Sequence, residues 1–476
     1  MLTHFIDYGI QVGSTAIIAR ILEPSDYGLV AIALAATGFF FIFKTLGLSD
    51  ATVQREHITH QQVSNLFWIN VAAGLILTFI LMISAPFIAG IFKDTRLTNI
   101  IRVSSITFLI SGLYTQHQAL LKRSMRFSAL AVNEIVGICL SVVVAVSMAF
   151  AGMGYWVLVI RPIIYVASIA IGCWIMCKWR PGLPSRNSNV KPMLKFGLNT
   201  VAYYVVDYFA RNSDKALIGW KEGPAPLGFY SKAFQLFLAP VSQLTIPLSG
   251  VAVATLSKLY KEPAKYHSYY LGAVHAVAFV GFPLSMFLVA NSKYLILFLL
   301  GRKWAEAAEL FSILGLAGGI QLITSTRAWL FVSLGRTDRW FYTGVVASLL
   351  MGLFILAGLQ FGTKGVAVAY SLFVYLSMVP SLWYAGSPIG LKFRQILSVL
   401  WKSFCASFLA AAINWYLFRF MLNLPYLAIL IVSAAVFSIT YATIVFLLYG
   451  NVKPFISFFE LAVMVLPGVQ KKKMQN

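Results

Sequence analysis

Long apolar runs separated by short polar stretches set the pattern of this chain from end to end. The runs centre near Val12, Phe39, Leu77, Ile110, Val143, Val166, Val206, Leu244, Ala278, Ala317, Leu350, Phe373, Ala411 and Ala435, each wide enough for a helix of about twenty residues to cross a bilayer. The spacing predicts an all-α polytopic membrane protein of about fourteen transmembrane helices. Met1 to Ile21 is expected to be retained as the first span. It has no basic leading segment, and Ala19-Arg20 closes it where cleavage would require small residues.

A second pattern lies over the first. Pro24, Gly28 and Ala33 in LEPSDYGLVAIA recur 200 residues later as Pro224, Gly228 and Ala233 in EGPAPLGFYSKA, and the same offset carries Asp7 onto Asp207. Further landmarks keep their order with a small drift: Gly154 matches Gly365, and Arg123 with Arg126 matches Arg336 with Arg339. Each half holds an even number of spans, so the two point the same way as parallel repeats. The expected organisation is a six-helix lobe over 1–178, a polar, proline-rich linker over 179–195, a second six-helix lobe over 196–385, and two extra helices over 386–450. An interfacial segment and basic tail over 451–476 end the chain. Membrane proteins built from two such halves bind and move a substrate where the halves meet, so a central cavity is expected.

Composition sharpens this reading. Of 476 residues, 59% are hydrophobic and 11% charged, and the mean hydropathy is +0.81, more than any soluble core of this length needs. The formal net charge of +22 does not indicate nucleic acid, because the basic residues are scattered between spans rather than gathered on one soluble face. They concentrate in loops after even-numbered spans, which places both termini in the cytoplasm by the positive-inside rule. The four cysteines (Cys139, Cys173, Cys177, Cys405) fall within spans and read as packing residues. The six histidines form no HExxH motif, and no glycine-rich loop with a lysine is present to cradle a nucleotide. No metal, cofactor or self-contained ATP-driven pump is therefore expected.

Candidate chemistry gathers on the seventh span. Asp207, Arg211, Asp214 and Lys215 fall on one helical face, and Tyr204 with Thr200 continues the stripe. Charges near the bilayer centre cost about 2.5–3.5 kcal/mol each on insertion scales, so they face protein or water rather than lipid. A self-neutralising Asp207 and Arg211 pair is the plain alternative. The matched face of the first span reads Asp7, Gln11, Ser14 and Thr15, polar at each corresponding position. Arg327 in the tenth span and Arg161 in the sixth add cations, whereas Lys232 and Lys44 are expected to snorkel to an interface. A positively lined cavity implies an anionic ligand. Pro240, Pro247 and Pro283 are candidate bending points.

Four phrases, ARILEPSDYGLVAIA (Ala19–Ala33), ARNSDKALIG (Ala210–Gly219), LGFYSKAFQLFLAPVSQLTIPLSGV (Leu227–Val251) and LLGRKWAEAA (Leu299–Ala308), resemble the polysaccharide flippases of the multidrug/oligosaccharidyl-lipid/polysaccharide superfamily, of the Wzx and colanic-acid exporter type. Members of that family carry several more residues ahead of the first span, including a basic amphipathic lead. The resemblance implies two six-helix lobes around a cavity that opens alternately to either side of the bacterial inner membrane, and it implies an undecaprenyl-diphosphate-linked oligosaccharide as substrate. Polysaccharide polymerase and co-polymerase are implied partners alongside membrane lipids. A diphosphate suits guanidinium groups, which puts Arg211 first, Lys215, Arg327 and Arg161 after it, with Asp207, Asp214, Tyr204, Asp7 and Gln11 lining the cavity. Two competing readings are a cation-coupled multidrug exporter, which would want more carboxylates, and a membrane polymerase or glycosyltransferase, which would want larger outer loops.

Overall fold

The computed structural model describes residues 2–40, 49, 52–53, 55–185, 208, 212–419 and 424–451, and every regular element among them is helical. The chain separates into two compact units, Met1–Ser231 and Lys232–Asn476. The first contains α1 (Leu2–Ile21), α2 (Pro24–Thr37), α3 (His60–Ile91), α4 (Arg96–Arg123), α5 (Phe127–Phe150), α6 (Trp156–Met176), α7 (residues 212–221) and the start of α8 (Pro224–Leu259). The second continues α8 and adds α9 (Pro263–Ala290), α10 (Ser292–Leu299), α11 (Ala305–Leu316), α12 (Gly318–Ser325), α13 (Arg327–Ser333), α14 (Thr337–Leu359), α15 (Gly362–Gly386), α16 (Phe393–Phe418) and α17 (Tyr426–Tyr449).

Among the described residues nine helices, α3–α6, α9 and α14–α17, are long and apolar enough to cross a membrane, and the number rises to eleven if each of two bent pairs is one span. The apolar runs centred on Phe39 and Val206 reach outside the described residues. Burial is inverted relative to a water-soluble protein: Ile83, Phe87, Val143 and Ile175 point outward, while Asn70, Ser111, Gln116 and His117 are enclosed. Lipid accepts the apolar faces, and helical backbones satisfy their own polar groups within the bilayer. The chain is a multi-pass membrane protein.

In the first unit, α2 begins where its sequence dictates. Pro24 opens the helix, where its missing N–H is no loss, and Asp26 Oδ2 accepts the Glu23 backbone N–H at 3.1 Å. Between α3 and α4, Arg96 donates Nε to Asp94 Oδ1 at 3.1 Å and Nη2 to Oδ2 at 2.8 Å. That fork holds the Asp94 carboxyl below the usual carboxylate range. The first residues of the expected linker lie against α3: Ser64 Oγ accepts from Gly182 N at 2.9 Å and Trp68 Nε1 donates to Gly182 O at 2.9 Å. The Asn65 amide exchanges hydrogen bonds with both backbone groups of Ser185.

The matched arginines do matched work. Arg126, at the start of α5, donates to the carbonyl of Met176 at the end of α6, 2.9 Å away. Arg339, in the first turn of α14, donates to Ser387 Oγ just past α15 at 2.9 Å and lies 5.0 Å over the Tyr384 ring. In both places a guanidinium fastens the start of one helix, α5 or α14, to the C-terminal end of the next, α6 or α15, where cations are favoured by the free carbonyls.

Within the second unit two spans are broken. α8 bends by 43° between Gln243 and Leu248, next to Pro240 and across Pro247, as the sequence anticipates, because proline removes a ladder bond. α9 runs unbroken through Pro283. The other break, 42°, separates α11 from α12 and α13 at Ala317 and Gly318. Ser285 of α9 repairs it, donating Oγ to Gly315 O at 2.5 Å and accepting Gly319 N at 3.1 Å. Added side chains at Gly318 and Gly319 would press on Ser285, Phe237 and Phe282 and would have to displace them. Farther along, Asn291, Asn414 and Ser433 form a buried triad joining the end of α9 to α16 and α17.

Candidate functional site

The two copies of the repeated motif meet each other. A methyl group on Gly28 would overlap the Pro224 carbonyl, and one on Gly228 would overlap the Pro24 carbonyl. Each helix start therefore uses its glycine to receive the proline of the other, the reciprocity of a two-fold contact, here within one chain. Two more groups seat the seventh span on α2. Gly219 faces Ile32, and Tyr208 donates its hydroxyl to Leu34 O at 2.6 Å.

The polar stripe of the seventh span divides. Asp214 is 3% exposed; its Oδ2 accepts the Tyr230 hydroxyl at 2.8 Å and its Oδ1 accepts the Lys215 backbone N–H at 2.8 Å. This carboxylate ties α7 to α8, which differs from the open, cavity-lining place that spacing alone suggests. Lys215 Nζ donates to Asn212 Oδ1 at 3.3 Å. Asp207, Arg211, Tyr204 and Thr200 lie outside the described residues, as does the side chain of Asp7, which stands in α1.

On the first span the anticipated polar face and Arg161 do come together. Arg161 Nη2 of α6 donates to Ser14 Oγ at 3.1 Å, and the Ser14 hydroxyl in turn donates to the Gln11 carbonyl at 3.0 Å. Tyr27 of α2 lies close enough to Arg161 to interact electrostatically. Among the described residues no carboxylate pairs with this guanidinium.

Arg327 sits within the second arm of the bent pair, at the first position of α13, and lines a cleft of about 490 Å³ with Tyr342, Ser377, Trp383 and Tyr384 from α14 and α15. Discontinuous helices of this kind place backbone and side-chain polar groups at membrane depth. Tyr370 donates to Gln321 Oε1 at 2.7 Å and Trp329 Nε1 to Ser249 Oγ at 2.8 Å, which fixes the helices on either side of Arg327.

Elsewhere, Lys232 does not snorkel as expected. It is 6% exposed, with Nζ donating to Gln235 Oε1 at 2.9 Å. Asn133 bonds Ile169 O at 3.1 Å across helices, the packing role its place in a span suggests. Among the described residues no cluster of histidine, cysteine and acidic side chains could hold a metal ion. Ser285 and Tyr230 carry no sequence signal beyond their residue type, and neither stands out before the fold is known.

Known proteins place this architecture. The family described as "Polysaccharide biosynthesis protein" matches residues 17–309. The teichuronic acid biosynthesis protein TuaB of Bacillus subtilis (strain 168) is 27% identical over 401 residues, covering 83% of this chain and 82% of its own. The lipopolysaccharide biosynthesis protein WzxC of Escherichia coli (strain K12) is 21% identical over 417 residues, 86% of this chain and 84% of its own. Among solved structures, the lipid II flippase MurJ in an inward closed conformation aligns with a TM-score of 0.75 at 16% identity over 94% of this chain and 98% of its own. A multidrug resistance MATE family transporter of the MOP superfamily aligns at 0.63 and 12% identity over 80% of this chain and 94% of its own. The fold is thus one shared by these transporters, and with more than half of its length matched the chain belongs to the polysaccharide biosynthesis protein family.

Proposed function

We propose that this protein is a flippase that carries an undecaprenyl-diphosphate-linked oligosaccharide across the bacterial inner membrane for surface polysaccharide synthesis, leaving the glycan unchanged. Transport proceeds by alternating access in a chain of two six-span halves, 1–178 and 196–385, and both termini are cytoplasmic. Arg161 carries the reading: a guanidinium within the spans, held by Ser14 and facing no carboxylate among the described residues, suits a diphosphate and repels an organic cation. Arg211, Lys215 and Arg327 contribute further positive charge; Asp7, Gln11, Tyr204 and Asp207 complete the polar lining. Family membership and the WzxC and TuaB likenesses support the substrate class. A polymerase and co-polymerase then act on the product at the outer face.

The test is Arg161→Ala, alone and with Arg211→Ala, in cells deleted for the chromosomal copy. The expected result is loss of surface polysaccharide with the lipid-linked unit retained in the inner leaflet, at unchanged protein level. Normal export by the double variant removes both guanidinium groups from the mechanism.

A further inference from the structure

A separate cationic hollow of about 350 Å³ lies in the second unit where α9, α16 and α17 meet, lined by Gly272, His275, Ser398, Lys402 and Tyr449. Lys402 lies in α16 and is half-buried. Nζ donates to Leu448 O at 3.0 Å and stands 4.6 Å from the centre of the Tyr449 ring. Among the described residues no carboxylate meets it, and an ammonium has three hydrogens to place. His275 Nε2 is 2.9 Å from the Tyr449 hydroxyl, which adds a second polar group to the same wall.

The position in the helices says what comes here. Tyr449 is the last residue of α17, and Gly450 closes that helix at φ +66°, so the hollow lies at the level where the span ends and lipid headgroups begin. Trp401 beside it is 45% exposed, as aromatic side chains are at that level. Leu271 and Val399 supply an apolar border, and Gly272 leaves the wall open, with no atom within 4 Å of where a side chain would begin. A volume of this size takes a headgroup, not a whole lipid.

We infer that this hollow is a docking site for the phosphate of an anionic bilayer phospholipid, held by Lys402 with His275 and Tyr449 beside it and with the acyl chains lying along the apolar border. The site does not depend on the transport reading. A charge-assisted hydrogen bond from ammonium to phosphate is the strong contact, and anionic headgroups are drawn to cations at this depth.

The experiment is native mass spectrometry of the full-length protein in detergent with phosphatidylglycerol, phosphatidylcholine or glycerol 3-phosphate, on wild type, Lys402→Gln, Lys402→Arg and Gly272→Leu. The wild type is expected to retain phosphatidylglycerol about tenfold better than phosphatidylcholine; Lys402→Gln erases that preference and Lys402→Arg keeps it. Gly272→Leu fills the hollow without touching the charge, so it also erases the preference and keeps the test decisive if Lys402→Gln folds poorly. The proposal is overturned if Lys402→Gln or Gly272→Leu binds phosphatidylglycerol as the wild type does, which would leave Lys402 as a cap for α17 alone. It is equally overturned if glycerol 3-phosphate displaces the lipid at matched concentration, since the ligand would then be a soluble phosphate.

Discussion

Replacing Gly28 with alanine puts a methyl group where the Pro224 carbonyl stands, and the clashing atoms are backbone rather than a side chain able to swing away. The starts of α2 and α8 must therefore separate. Overpacking costs about 1–3 kcal/mol, and a clash with unyielding backbone belongs in the upper part of that range, about 2–3 kcal/mol; the offset of about 1 kcal/mol from replacing glycine inside a helix leaves a net loss of about 1–2 kcal/mol. Gly228→Ala meets the Pro24 carbonyl and should lose as much. Because both methyl groups wedge the same pair of helix starts, the double variant should fall short of the sum by at least about 0.5 kcal/mol. Gly352→Ala, with open space beside it in α14, is the control and should melt at or slightly above wild type. The assay is thermal melting of the purified chain in detergent followed by tryptophan fluorescence, with surface polysaccharide measured in parallel. A Gly28→Ala protein as stable as wild type, or strict additivity in the double variant, would refute the reciprocal contact.

Two further outcomes follow from single bonds. Ser285→Ala removes the group that serves both Gly315 O and Gly319 N at the break between α11 and α12; the two lost hydrogen bonds should cost about 1–3 kcal/mol, read as a lowered melting temperature, whereas Ser312→Ala, a half-buried helical position whose hydroxyl bonds only Glu309 O of its own helix, should not. Asp94 is held below its ordinary value by Arg96, so its contribution is present above the unfolded value and lost as pH falls through the folded one. Asp94→Asn should accordingly lower stability by less than about 1 kcal/mol at neutral pH, and the gap from wild type should close on acidification below the usual aspartate range; a gap that widens instead contradicts the pairing.

The helical, membrane-spanning character was legible because apolar run length is a direct consequence of bilayer thickness, although nine to eleven of the expected fourteen spans stand among the described residues; the recurrence of Pro24 and Gly28 as Pro224 and Gly228 was likewise legible from their spacing. That these residues face one another was not, since a repeat says which residues correspond and nothing about what they touch. The bend beside Pro247 could be anticipated from proline chemistry. The bend at Gly318 could not, because glycine is common in unbroken membrane helices and the deciding partner, Ser285, is 33 residues away in sequence. Helical spacing placed Asp214 and Lys215 on one stripe, yet Tyr230 claims the Asp214 carboxylate, a contact that depends on how α8 folds back. Arg161 and Ser14 were each visible as polar residues in spans; only the packing of α1 against its neighbours brings them together.

Arg126 and Arg339 each clasp the start of one membrane helix to the far end of its successor. Neither helix pair can splay at that end without giving up a charge-assisted hydrogen bond.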